Sequence, residues 1–301
     1  MAAAGLSRYF QAPLNVAVAR RCPPGLTRRW LHALGRVYFR RHPGERGRFL
    51  EGFRGIHRGR GRLPHALLED QVLAGVCEHY FEKLLMAFWG RGRISRFLLR
   101  QIDLVHPERI TEALAQGHGA ILTTGHFGAV EFLPAFLGLR GFPVSMVVMY
   151  KTARLKRALE EFAAVLGVEL IDAGEGPVMP RALAALRRGR IFVTELDELK
   201  HWRPAETKVM RLFGRRVRLD RTVELLHRRT GAPVLLGLVE RIAAGRGYRL
   251  LVEAPEEHHA APTRLGPDAQ LLKRLEHFIY DRPDHWYLWN ELRHLENLAA
   301  A

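Results

Sequence analysis

From residue 119 to the end, short apolar runs alternate with stretches of helical length, and this alternation decides the fold class. The runs are "AILTT" (120–124), "PVSMVVMY" (143–150), "VELID" (168–172), "RIFVTE" (190–195), "PVLLGLVER" (233–241) and "YRLLVEA" (248–254). Helical stretches fall between most of them, at 129–138, 153–166, 178–188 and 220–230. Strand, helix, strand in this order predicts an α/β fold: a central mixed, largely parallel sheet flanked by helices. Only "IAAGRG" separates the last two runs, which predicts an antiparallel pair at one end of the sheet. Further helices are expected at 65–90 and 94–100, and at 267–281 and 284–297.

Residues 1–62 differ in kind and are read as a basic amphipathic N-terminal segment, with 63–301 as the α/β domain. The segment is rich in arginine, and its only acids are Glu45 and Glu51. Within "LTRRWLHALGRVYFRR", Leu26, Trp30, Leu34 and Val37 recur at three- and four-residue steps, while Arg28, His32, Arg36 and Arg40 recur four apart. Two readings share that pattern. One is a helix lying in a membrane interface; the other is a surface helix packing its stripe on the core. "GFRGIHRGRGR" (52–62) reads as a glycine-broken basic loop.

The whole chain carries a formal charge of +16, a field that favours polyanionic partners: an anionic membrane surface, nucleic acid, or phosphate-bearing and acidic-protein partners. No apolar run approaches the roughly 18–20 residues of a membrane span, and the start of the chain is a poor secretory signal. The chain is therefore expected to be neither secreted nor spanning. Two cysteines, Cys22 and Cys77, form no disulfide framework, which fits a reducing compartment.

"TTGHFGAVEF" (123–132) stands where the first apolar run of the alternating region stops and a helix begins. In open α/β sheets ligands bind beyond the carboxyl ends of the strands. His126 occupies that edge between Gly125 and Gly128, which permit a tight turn. If His126 lies in the turn and Glu131 in the first turns of the helix, the carboxylate folds back to one ring nitrogen and makes the other a general base. The spacing also fits a histidine capping the helix and a solvated glutamate near its positive end. Fifteen histidines invite a metal reading, but none has zinc-type spacing with cysteines and no His-Glu-x-x-His occurs. Neither a metal nor a cofactor is expected.

The stretch resembles the first motif of the lysophospholipid acyltransferase superfamily, His-(any four)-Asp/Glu at the end of a strand. With "GHFG" and a glutamate it looks most like the lipid A late acyltransferase branch. Four more pieces fall in that family's order: "ALRRGRIFVTELDEL" (185–199), "RLFG" (211–214), "LHRRTGAPVLLG" (226–237) and "RPDHWYLW" (282–289). The resemblance runs from about residue 65 to 292. There are departures. Lys151, with Arg154 close by, stands where an arginine is usual. Asp197-Glu198 replaces Asp-Gln, Asn290 and Leu292 interrupt the C-terminal motif, and "TELDELK" lacks the glycine and arginine of the glycerol-phosphate relatives.

The resemblance implies transfer of a fatty acyl chain from a thioester, on acyl carrier protein or coenzyme A, to a hydroxyl of a lipid or glycolipid. His126 is then the base and Glu131 its orienting partner. Lys151, Arg154, Asp197, Glu198 and Arg218 are the expected substrate-binding residues. Phe127, Phe132 and Phe136 are expected to line an acyl groove, with Met146 and Val148 nearby. Alternative acceptors are a phosphatidylinositol mannoside or a lysophospholipid. The expected location is peripheral, on the cytoplasmic face of the inner membrane. The rival class is a basic nucleic-acid-binding protein using the arginine-rich N-terminus. It predicts binding that falls steeply with salt, but the basic loop lacks interleaved aromatics, and nucleic acid is not an expected partner.

Overall fold

The computed structural model describes residues 3–57, 65–150, 153–242, 247–255 and 266–299. Six helices come first: α1 (Ala3–Phe10), α2 (Pro13–Arg21), α3 (Pro24–Arg41), α4 (Pro43–His57), α5 (His65–Phe88) and α6 (Arg91–Gln101). Prolines open α2 and α3, where the missing N–H costs nothing and the fixed φ suits a first turn. The alternating region follows: β1 (Ile102–Val105), α7 (Pro107–Ala115), β2 (Ala120–Thr124), α8 (Leu133–Leu139), β3 (Val144–Val148), α9 (Ala153–Val165), β4 (Glu169–Asp172), α10 (Val178–Arg187) and β5 (Ile191–Glu195). A ribbon of β6 (Pro204–Leu212) and β7 (Arg215–Asp220) precedes α11 (Thr222–Thr230), β8 (Val234–Arg241), β9 (Tyr248–Glu253), α12 (Pro267–Asp281) and a 3-10 stretch, Trp289–Leu298.

The seven-stranded sheet has the order β1-β9-β8-β2-β5-β3-β4. All neighbours are parallel except β8 and β9, the expected antiparallel pair. The sheet is thus mixed, largely parallel and flanked by helices. Every residue of β2 is buried, as a central strand covered on both faces requires.

Several details differ from expectation. The helix expected from 129 begins as a 3-10 turn, Val130–Phe132, and becomes α-helical only at Leu133, where Pro134 sits in the first turn. The C-terminal helix is a 3-10 stretch. Residues 52–57 are the last turns of α4 and not loop; 58–62, and with them the expected domain boundary, lie outside the described residues. The ribbon β6–β7 and the short strand β1 were not expected.

The N-terminal helices share the core. Phe10, Leu31, Phe39 and Phe53 are buried in the same apolar cluster as β2 and β8. Phe53 meets Trp289 edge-on with ring centroids 5.4 Å apart; burying one such ring is worth about 1.5–3 kcal/mol. Helix α3 turns a different face inward from the predicted stripe. Thr27, Leu31, Gly35, Tyr38 and Phe39 are buried, while Leu26, Trp30 and Val37 are 53%, 36% and 40% exposed.

Candidate active site

The site is built where two parallel strands end side by side. The β2–β5 register pairs Thr124 with Glu195. Two residues further along each chain stand His126 and Asp197. Asp197 Oδ1 lies 2.9 Å from His126 Nδ1, and Asp197 Oδ2 accepts from the His126 backbone N–H at 2.8 Å. A third donor, the indole N–H of Trp286, reaches Oδ2 at 2.7 Å. Asp197 is 4% exposed, so it is a desolvated carboxylate held by three donors. In the neutral ring, Nδ1–H donating to this carboxylate leaves the lone pair on Nε2.

The turn needs its glycines. A Cβ on Gly125 would stand 2.6 Å from Leu275 Cδ2 and 3.0 Å from Asp197 Oδ2. Gly128 adopts φ 60°, and a Cβ there would meet the Val239 carbonyl oxygen at 1.9 Å. Arg241, bidentate to the buried Glu82 at 2.7 and 2.8 Å, donates to the Gly128 carbonyl at 2.9 Å and ties the turn to β8. Phe213, in the "RLFG" turn, packs its ring 5.6 Å from that of Trp286. This connects a piece of the resemblance to His126 through the indole and Asp197.

Glu131 is not the partner of the ring. Its carboxylate pairs with Lys83 Nζ of α5 at 3.1 Å and lies 4.0 Å from His79 Nε2. The 3-10 turn that replaces the expected helix start carries Glu131 toward α5. His79 is buried and stacks on Tyr287 at 3.6 Å; burial holds it neutral, well below the usual histidine range. Tyr287 in turn sits edge-on to His126, centroids 5.3 Å apart.

Nε2 faces two more carboxylates, Glu198 Oε2 at 3.3 Å and Glu195 Oε2 at 3.6 Å. Burial opposes charge on the ring, but Asp197, Glu195 and Glu198 outweigh it and raise the His126 pKa to about 10. Burial raises Glu195 to about 7, against the pull of His126 and with Asp197 and Glu198 adding to it. These acidic neighbours hold the ring toward its protonated form, and the site is only partly closed: the His126 side chain is 14% exposed and that of Glu198 31%.

The other expected residues are placed as follows. Asp197 lies under the imidazole and not on a substrate surface, because the strand register carries it there. Glu198 faces Nε2. Arg218 points outward from β7, between the buried Val217 and Leu219, and does not join the site. Lys151 lies outside the described residues, and of Arg154 only its place in α9 is described. Phe127, Phe132 and Phe136 are core residues at 1% exposure or less. The Phe127 ring is closed in by Phe278 and His285, and that of Phe132 by Phe97 and Tyr248. They pack in the core, and none of the three lines either of the two cavities that follow. Two cavities, of about 350 and 260 Å³, lie between α4 and the 3-10 stretch and between α3, α5 and the end of β8; His126 lines neither. Met146 and Val148 are half-buried on β3, and Met149 after them is 66% exposed. Trp286 and Trp289 are buried.

No curated protein matches the chain. The family model of bacterial lipid A biosynthesis acyltransferases matches residues 67–293, which span α5 to the last 3-10 stretch and include the His126 turn, Asp197 and Trp286. By that match over most of its length the chain belongs to the bacterial lipid A biosynthesis acyltransferase family, and it is an acyltransferase with a lipid acceptor.

Proposed function

We propose that the chain moves a fatty acyl group from a thioester, carried by acyl carrier protein or coenzyme A, to a hydroxyl of a lipid or glycolipid, with His126 as general base. The observation that carries this reading is the ring's setting. Asp197 fixes Nδ1 from behind, and Nε2 looks out from the carboxyl edge of the sheet. Nε2 takes the acceptor's proton as its oxygen attacks the thioester carbonyl. The carbon–sulfur bond breaks, and the imidazolium returns the proton to the leaving thiolate. Glu195 and Glu198 accept hydrogen bonds from the acceptor. Glu131 acts through Lys83, holding that ammonium at the rim of the site. The acyl chain lies over Met146, Val148 and Met149. The β3–β5 register pairs Met146 with Val193, and continuing it sets Val148 beside Glu195.

The charge on His126 sets the pH dependence. Only the neutral ring is a base, and carboxylates favour the protonated form. Activity (kcat/KM) is therefore expected to rise with pH toward about 10. Glu198→Gln removes one charge near Nε2 and lowers the ring's pKa, by roughly 1 unit at this range. The rising limb then moves to lower pH, and a nitrogen-15 NMR titration of His126 moves with it. An unchanged limb would separate His126 from the rate-determining proton transfer.

We further propose a peripheral position on the anionic, cytoplasmic face of the inner membrane, attached through the outward faces of α2 and α3. Leu14 (63% exposed), Leu26, Trp30 and Val37 stand there among exposed Arg20, Arg21, Arg29, Arg36, Arg40 and Arg41. No acid occurs in this stretch. No helix among the described residues is long and apolar enough to cross a membrane. Each basic side chain near an anionic surface contributes about 1 kcal/mol. Replacing Arg29, Arg36 and Arg40 by serine should weaken binding to phosphatidylglycerol vesicles roughly 10²-fold at low salt. Unchanged vesicle binding would place attachment elsewhere.

A further inference from the structure

His126, Glu195 and Glu198 present ligand atoms to a single point. One atom from each lies within 4.8 Å of the other two, and Nε2 stands 3.3 and 3.6 Å from the glutamate oxygens. Donors bonded to a divalent ion at about 2.0–2.2 Å stand roughly 3.0–3.6 Å apart by simple tetrahedral or octahedral geometry. The ring's setting matches as well. A histidine that binds a metal through one nitrogen usually donates its other N–H to a carboxylate, which fixes the tautomer. Asp197 fills that place, itself held by the Trp286 indole and the His126 backbone N–H. A separate observation lies alongside. Thr124 is 1% exposed, and its hydroxyl has no hydrogen-bond partner among the described residues. It is the register partner of Glu195, so its side chain shares the sheet face from which Glu195 reaches His126. Sequence spacing did not reveal this set because its members come from two strands.

We propose that His126, Glu195 and Glu198 bind a zinc-class divalent cation that occupies the Nε2 lone pair and so inhibits acyl transfer. One imidazole and two carboxylates suit Zn²⁺ or Co²⁺ better than Mg²⁺ or Ca²⁺, which take oxygen ligands. Binding displaces the imidazolium proton into solvent, and the ion competes with the acceptor for the same nitrogen. The inhibitory consequence rests on His126 being the base; the binding itself does not.

The test uses the whole chain, stripped with a chelator and titrated with Co²⁺. The expected result is one ion per chain with a visible ligand-field absorption band, displaced by Zn²⁺. His126→Ala should abolish the band. Glu198→Gln, at a position open to solvent, should weaken binding at least 10-fold with an unchanged melting temperature. Asp197→Asn should weaken it 10–100-fold. In a transfer assay, half-inhibition by Zn²⁺ should track its Kd and be reversed by chelator. Absence of the band, or equal binding by His126→Ala and Glu198→Gln, overturns the site. Binding without inhibition, or activation by Zn²⁺, overturns the inhibitory role. If His126→Ala retains transfer activity the base assignment fails, while the Co²⁺ titration still decides the site.

Discussion

Replacing His126 by alanine is expected to abolish acyl transfer while leaving the protein folded. General-base assistance by a positioned histidine contributes on the order of 10²–10⁴-fold. His79, on the same Tyr287 ring that His126 meets edge-on, is buried and held neutral, and His201 is paired with the other oxygen of Glu198 at 3.8 Å. The fold should survive because the turn is tied elsewhere. The backbone N–H of residue 126 still donates to Asp197, Arg241 still holds the Gly128 carbonyl, and Phe127 remains in the core. The variant does leave Asp197 Oδ1 without its donor. An unsatisfied buried acceptor costs about 1–3 kcal/mol, so the melting temperature should fall by several degrees without loss of cooperativity. The measurements are single-turnover transfer from an acyl thioester and thermal unfolding by circular dichroism. Transfer within threefold of the parent protein would end the mechanism proposed for this site.

The sheet was legible because its central strands are covered on both faces. "AILTT" is wholly buried, and "PVLLGLVER" is buried over its first seven strand residues, so each reads as a continuous apolar run. The ribbon β6–β7 was not, because charged residues occupy much of both strands and only positions such as Met210, Leu212, Val217 and Leu219 turn inward. Strand β1 has only four residues, one of them Asp103. The buried face of α3 was hidden in the sequence for a related reason. Residues 26, 30, 34 and 37 are the more apolar series, but 27, 31, 35 and 38 are buried, and Thr27 and Gly35 hide that face from a hydrophobic count. The apolar stripe faces outward instead, which favours the membrane-interface reading of the helix.

His126 itself was readable from its place after a buried strand. Its partner was not, because local spacing favours the nearest carboxylate in the chain. The signal for Asp197 was nevertheless present. "AILTT" and "IFVTE" are neighbouring parallel strands of equal length, and residues two beyond each end meet when the strands align in register. Only the pairing of β2 with β5, which sequence order does not give, converts that into a contact between residues 71 apart.

This difference leads to the second large effect. Asp197→Asn should lower kcat/KM roughly 10²–10³-fold, approaching the loss from His126→Ala. An amide has one acceptor oxygen, yet Asp197 receives three N–H donors from His126 and Trp286. Whichever way the amide turns, an NH₂ group faces at least one of those donors. If it faces Nδ1, the ring must place its proton on Nε2 to accept that bond, and the base is lost to the wrong tautomer. If it faces the indole and the backbone N–H, the Trp286 anchor loosens and the turn with it. The negative charge that stabilises the imidazolium during transfer disappears in both cases. Glu131→Gln should behave differently. It weakens a half-exposed pair with Lys83, of the sort worth about 0–1 kcal/mol, and leaves Nδ1 bonded to Asp197. Its expected cost is about tenfold or less, seen in KM for the donor more than in kcat. The comparison needs the three variants in one assay, with circular dichroism melts to exclude unfolding. The order expected is His126→Ala most damaging, then Asp197→Asn, then Glu131→Gln by a wide margin. A Glu131→Gln loss equal to that of His126→Ala, with Asp197→Asn nearly unaffected, would return the orienting role to Glu131 and require the turn to rearrange when substrate binds.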